Sequence, residues 1–306
     1  MKSLFESKLN IAKDIEPNDV LVNQVLDQIK GLLPSHSHDE FIVRESSSIT
    51  LATVREGESP CILVINGYLS KEGRDMSDWL SVVDEQYPKN KIIHVRWNAG
   101  NVTDIARDDS KMTGDVKDTD TDADKWLAAA RLARDMNPVD FAALVGEIVT
   151  DKFVGHWKKS FNETLHAGHD LAKAIQDDEQ LQGAILMGYS LGAVVAYQAL
   201  NNLDANKVTA CYLLAGAVSA EAEQWTPILE KHTDLRLINC YSDNDDVLKS
   251  AYGAGTILDH KPAGLTEIEN SNLEQVVNLN VTEFSSGHLN IKNGTVGKAL
   301  AGTLKP

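Results

Sequence analysis

The run AILMGYSLGAVVAYQAL, residues 184–200, constrains the fold more than any other stretch of the chain. Four apolar residues lead into the pentapeptide Gly188, Tyr189, Ser190, Leu191 and Gly192, and a run of helical character follows. A G-x-S-x-G pattern in that context predicts a buried strand, a sharp turn and a helix, with the serine oxygen lifted above the sheet edge. Gly188 and Gly192 suit the turn because a Cβ at either position would collide with neighbouring chain. Ser190 is therefore the candidate nucleophile.

The remaining pattern gives this turn a sheet to stand on. CILVI (61–65), KIIHVRW (91–97), AILM (184–187), VTACYLL (208–214) and DLRLINCY (234–241) are short apolar runs of the kind that form strands buried on both faces. Helical stretches at 76–87, 162–176, 191–203 and 221–231 separate them. This alternation predicts an α/β fold with a doubly wound, mostly parallel sheet. At 306 residues the chain is long enough for one large domain of this kind.

Residues 1–40 read as an N-terminal helical extension, because Val22, Val25, Leu26, Ile29, Leu32 and Leu33 keep the spacing of one helix face. The sheet domain spans 41–306 and opens with two β-like runs, 41–44 and 49–54, that suggest an edge hairpin. Residues 99–160 exceed what a βα unit needs. Their first part carries Asp118, Asp120, Asp122 and Asp124 but has Ala123 and Ala129 where a calcium loop needs Gly and Glu, so it reads as a solvated loop. His36 and His38 beside Asp39 likewise read as a polar turn. Asn137 and Pro138 then start a helix with an apolar face of Phe141, Leu144, Val145, Ile148 and Val149. That helix suits either a cap over the site or ordinary packing, and residues 138–157 are the candidate for peripheral lipid contact.

Lys and Arg number 29 against 45 Asp and Glu, a net charge of −16. A surface this acidic repels phosphate backbones, which argues against nucleic acid as a partner. Cys61, Cys211 and Cys240 are few, odd in number and sit in strand-like runs, the pattern of buried thiols in a reducing cytosol. The first residues show no apolar leader, and no apolar run is long enough to span a bilayer. The expectation is a cytoplasmic protein.

A serine at such a turn needs an acid and a base, in the chain order Ser, Asp or Glu, His. Only His232, His260 and His288 follow Ser190. His288 is preferred, since it follows a glycine on a loop after the last strand-like run, VVNLNVTEF. The acid belongs after DLRLINCY, where Asp243, Asp245 and Asp246 compete. Val247 and Leu248 anchor the loop beside Asp245, which favours it. Asp243 is the alternative, and Asp246 reads as the cap of a helix starting at Val247. The oxyanion donors expected are the N–H of Leu191 and one from the loop after CILVI, where Gly67 allows a turn that aims the N–H of Tyr68 or Leu69 at the site. Asn66 stands ready to brace that loop. Leu69 and Tyr189 are the candidate substrate-binding side chains. No metal or organic cofactor is expected.

INGYLSKEG followed by DWL, HVRW, MGYSLGA, LLAGAV with Trp225, NCYSDNDDVL with Ala251 and Tyr252, PAGL and GHL occur together. In that order they resemble a poorly characterised α/β-hydrolase family that includes the eukaryotic transmembrane and coiled-coil domain-containing proteins. The likeness runs from about residue 60 to 291. It implies an α/β-hydrolase fold with Ser190 as nucleophile, Asp245 as acid, His288 as base and Tyr68 near the oxyanion hole. Those relatives carry membrane segments and this chain shows none, so membrane attachment does not carry over. The function expected is a serine hydrolase of carboxylic esters, lipase- or esterase-like, with a small acyl ester or lipid as substrate. The alternatives are a non-catalytic binding protein on the same fold, and a thioesterase or peptidase with the same three residues.

Overall fold

The computed structural model describes residues 47–68, 70, 75–100, 150–253, 258, 260–269 and 274–303, with the backbone alone at 150–157 and at Ser250. The N-terminal extension, the first half of the proposed edge hairpin, the acidic loop, the helix proposed from Pro138 and Leu69 lie outside these residues.

Among the described residues seven strands form one sheet: β1 (Ile49–Arg55), β2 (Glu58–Ile65), β3 (Asn90–Trp97), β4 (Ala184–Tyr189), β5 (Val208–Leu214), β6 (Arg236–Tyr241) and β7 (Val276–Asn280). Their order is β1-β3-β2-β4-β5-β6-β7. Only β1 runs antiparallel, pairing with β3, and every other neighbour is parallel. Among the described residues six helices connect or flank them: α1 (Ser77–Val83), α2 (Thr150–Asp177), α3 (Leu191–Asn202), α4 (Ala222–Lys231), α5 (Asp246–Gly253) and α6 (Gly294–Thr303). This is the α/β-hydrolase fold.

The reason for the layered arrangement lies in the strands. All six residues of β4 are buried, as are Ile62, Leu63, Val64 and Ile65 of β2. A strand apolar on both sides needs cover on both faces, and each such side chain contributes about 1.5–3 kcal/mol on burial. Right-handed crossovers decide which helix covers which face. From β2 through α1 the chain steps towards one edge, to β3. Through α2, α3 and α4 it steps the other way. So α1 takes one face and α2, α3 and α4 the other. The packing agrees: α2 lies against α3, and the C-terminal α6 returns to lie against α1.

Those packings need bare backbone. A Cβ on Gly168 of α2 would fall 2.3 Å from Gln198 Cβ of α3, and one on Gly297 of α6 would fall 2.8 Å from the Val82 carbonyl of α1.

The helix expected at 162–176 is described over Thr150–Asp177. The expected edge strand at 49–54 is present, but among the described residues its partner is β3, because that strand offers a free edge in register with it.

Direction reverses between β2 and β4, the one place where successive crossovers leave in opposite directions. In an open α/β sheet the crevice at such a switch, at the carboxyl ends of the strands, is where ligands bind. Gly67 follows β2 there and Ser190 follows β4.

Gly297→Ala should cost about 1–3 kcal/mol of stability through overpacking against α1. Denaturant titration measures this; an unchanged midpoint would contradict the close approach.

Candidate active site

Ser190 holds φ 54° and ψ −121°, a backbone region that an L-residue enters only under strain. Such strain costs on the order of 1–3 kcal/mol and persists only where the surroundings over-determine it. They do so here. Ser190 N–H donates to the Leu214 carbonyl at 3.1 Å, and the Ser190 carbonyl accepts from Ala193 and Ala217 N–H, each at 3.1 Å. The end of β5 and the first turn of α3 thus grip the residue on both sides. The flanking glycines answer a spatial need. A Cβ on Gly188 would lie 2.6 Å from Ala193 Cα, and one on Gly192 would lie 2.2 Å from the Ile65 carbonyl of β2.

His288 reaches Ser190 from the loop after β7. Its Nε2 stands 3.0 Å from Ser190 Oγ, and its Nδ1 stands 2.7 Å from Asp245 Oδ2. The bond to the carboxylate assigns the proton to Nδ1, which leaves Nε2 free to accept from the serine hydroxyl. Both partners lie out of water: the side chains of His288 and Asp245 are 6% and 1% exposed.

Asp245 is fixed at its other oxygen too. Oδ1 accepts from Leu248 N–H at 2.9 Å, so this carboxylate also caps α5. The cap expected of Asp246 therefore belongs to Asp245. Asp246 is the first residue of the helix and pairs with Lys249 at the surface. Asp243 is exposed, and its backbone N–H donates to Thr282 Oγ1 at 2.9 Å. Asn244 stitches the acid loop to the base loop by donating to the carbonyls of Thr282 and Ser285, both at 2.9 Å.

The other two late histidines do other work. His232 is buried, accepts from Asn206 N–H at Nδ1 and faces the Leu200 carbonyl at 2.8 Å through Nε2. His260 pairs with Glu221 at the surface.

Gly67 brings the loop after β2 against Ser190. A Cβ there would fall 2.7 Å from Ser190 Cβ and 3.2 Å from Ser190 Oγ, so no side chain fits. Tyr68 follows directly. The tyrosine ring packs on Gly100, where an added Cβ would come within 3.2 Å of it. Leu191, the buried first residue of α3, carries one of the N–H groups that the helix itself leaves without a partner. Tyr189, expected to line the substrate pocket, is buried. Its ring lies 5.1 Å from the His288 ring, and its hydroxyl donates to the His288 carbonyl at 3.2 Å. It sits behind His288.

Sequence reasoning found Asn66 but not what surrounds it. Its Oδ1 accepts from Trp79 Nε1 at 2.7 Å and from Lys292 Nζ at 2.9 Å. Its carbonyl accepts from Trp97 Nε1 at 2.8 Å, and its Nδ2 faces His94 Nε2 at 3.4 Å. Burial, with help from Arg96 and Lys292, pushes the His94 pKa down to about 4. His94 is therefore the neutral acceptor of the Asn66 amide. No local spacing marks Trp79, His94 and Lys292 as a group, since they are far apart in the chain. Among the described residues, no cluster of three or more His, Cys, Asp or Glu is placed to hold a metal ion.

The family described as "Protein of unknown function (DUF726)" matches residues 55–300. No curated protein matches the chain. Solved structures with similar chains include a "predicted CIB-like hydrolase" from Thermoplasma acidophilum, at 10% identity and TM-score 0.39 over 84% of this chain and 91% of that one. Mouse alpha/beta hydrolase domain-containing protein 10 is 14% identical, with TM-score 0.37 over 87% and 96%. A "member of a/b serine hydrolase without lid" from Xanthomonas campestris is 12% identical, with TM-score 0.34 over 84% of each chain.

His94 predicts a pH effect. The unfolded chain binds a proton at this residue below about pH 6.5, and the folded chain does not until about pH 4. Stability should therefore fall as pH drops through that window, and His94→Gln should make the fall shallower. Denaturant titrations at several pH values read this. A variant with the parent's pH slope would contradict it.

Proposed function

The chain belongs to the DUF726 family of proteins of unknown function, so its chemistry has to be read from its own residues, and we propose that it is a serine hydrolase of carboxylic esters. The single observation that carries the reading is the continuous line from Asp245 Oδ2 through His288 to Ser190 Oγ, with steps of 2.7 and 3.0 Å. It ends on a strained serine at the topological switch point of the sheet. Three separate loops converge there, and a fold with no chemistry to perform has no need of that convergence.

In this reading Ser190 Oγ attacks the ester carbonyl and its proton passes to His288 Nε2. Asp245 keeps the imidazole in the required tautomer and stabilises its charged form. The oxyanion accepts hydrogen bonds from the N–H groups of Leu191 and Tyr68, a contribution of about 3–4 kcal/mol per donor. The C–O bond to the alcohol then breaks, and the alcohol leaves with the proton from His288. Water, deprotonated by the same nitrogen, attacks the acyl-serine; the C–O bond to Ser190 breaks, the acid leaves, and His288 returns its proton to Ser190 Oγ. The protein's own side chains account for every proton moved.

The surroundings of the base suit an apolar ester. Leu289, next to His288, is 58% exposed, and Phe284 on the same loop is also exposed. This favours an acyl ester or lipid over a highly charged substrate. The order of motifs from INGYL to GHL supports kinship with the transmembrane and coiled-coil domain-containing proteins. No helix among the described residues is long and apolar enough to cross a membrane. Three buried free cysteines fit a cytoplasmic location.

A panel of p-nitrophenyl esters graded by acyl length, run on the parent and on Ser190→Ala and Asp245→Asn, tests the reading. The parent should turn over at least one chain length. Both variants should lose at least about a thousandfold in kcat. No turnover of any ester by the parent would favour a binding protein on this fold, and full activity in Ser190→Ala would reject Ser190 as nucleophile.

A further inference from the structure

Lys292 lies four residues beyond His288 and turns into the protein. Its side chain is 8% exposed. The ammonium pairs with Asp78, donates to Asn66 Oδ1 at 2.9 Å, and lies 4.6 Å from the centroid of the Tyr189 ring and 5.1 Å from that of Trp79. Removing a lysine from water is expensive, and burial lowers its pKa even though Asp78 opposes the shift. Asp78 itself remains 41% exposed, so the pair could form at the surface with a lysine that stayed in solvent. The position is better explained by what the buried ammonium touches.

Two of those groups belong to segments that border Ser190. Asn66 immediately precedes Gly67 and Tyr68. Tyr189 immediately precedes Ser190, and its hydroxyl holds the His288 carbonyl. Trp79 donates to the same Asn66 oxygen that Lys292 does. The backbone of Lys292 continues from the loop of the base, while its side chain ends on the loop after β2. Two π faces and two oxygens fix the charge in one place.

We propose that Lys292 is a positioning residue that locks the loop of Asn66, Gly67 and Tyr68 to the loop of His288 and sets a positive charge behind the site where the oxyanion forms. The inference rests on the serine-hydrolase reading. Lys292 does not touch the substrate. It acts by holding a backbone donor in place before the charge develops, the preorganisation that makes oxyanion sites effective. Acylation and deacylation both pass through an oxyanion, so its loss slows whichever step limits turnover and leaves ground-state binding alone.

The test compares the parent with Lys292→Met, which refills the space between the rings, and Lys292→Gln, which keeps a polar end for Asn66. Active sites are counted with a fluorophosphonate, and kcat and KM are measured on p-nitrophenyl butyrate. Both variants should lose at least about tenfold in kcat per titrated site, with KM within about threefold of the parent, since removing an oxyanion donor outright costs 100- to 1000-fold. The rate of phosphonylation should fall in parallel. An unchanged kcat per site in either folded variant, or a raised KM at constant kcat, overturns the proposal. So do variants that fail to fold, because Lys292 would then be a residue of stability. A parent that neither labels nor turns over ester overturns the hydrolase reading and this inference together, whereas a labelled, active parent with unaffected variants overturns this inference alone.

Discussion

At the carboxyl end of β4 the backbone reverses at Ser190, which has a side chain and yet holds φ 54°. The hydrogen bonds that pin it come from Leu214 at the end of β5 and from Ala193 and Ala217. The strain is affordable because the parallel sheet around it is closely packed, with β4 wholly buried. The glycines on either side follow from the same constraint. Gly192 must let α3 start against the β2 backbone, and Gly67 must let the β2 loop pass within contact distance of Ser190. Substituting either glycine would push apart the two strand ends between which the crevice forms.

The other site residues sit on loops stitched to that point. Asp245 uses one oxygen to start α5 and the other to hold His288, so helix capping and the orientation of the His288 ring depend on one carboxylate. Asn244 ties the acid loop to the base loop, and Tyr189 ties the base loop back to β4. Gly264 threads between the ends of β5 and β6: its N–H donates to the Gly216 carbonyl, and its own carbonyl accepts from Ser242 N–H. The site is thus a set of short cross-links between strand ends, and rigidity of the sheet becomes rigidity of the site.

Much of this was legible in the sequence, for identifiable reasons. Parallel strands buried on both faces write themselves as apolar runs, so β2, β4, β5 and β6 were found to within a few residues. The elbow was legible because its glycines and its flanks are contiguous. Chain order points to Asp245 and His288, with Val247 and Leu248 two and three positions on favouring Asp245 over Asp243, and the fold brings these two side chains within hydrogen-bond reach of each other. What failed to show was long-range: Lys292, Trp79 and His94 converge on Asn66 from α1, β3 and the segment after His288, and no spacing along the chain records a convergence in space. The capping role passed from Asp246 to Asp245 for a related reason. A pattern of residue types shows that a carboxylate starts the helix, and only the fold decides which one turns its oxygen inward.

The central claim is that Ser190 is the nucleophile of this sheet. Peptide mapping by tandem mass spectrometry after reaction of the parent with a fluorophosphonate addresses it directly. The account predicts a single stoichiometric adduct on the peptide containing MGYSLGA, localised to Ser190. An adduct on another residue, or an intact protein that carries none, would contradict it.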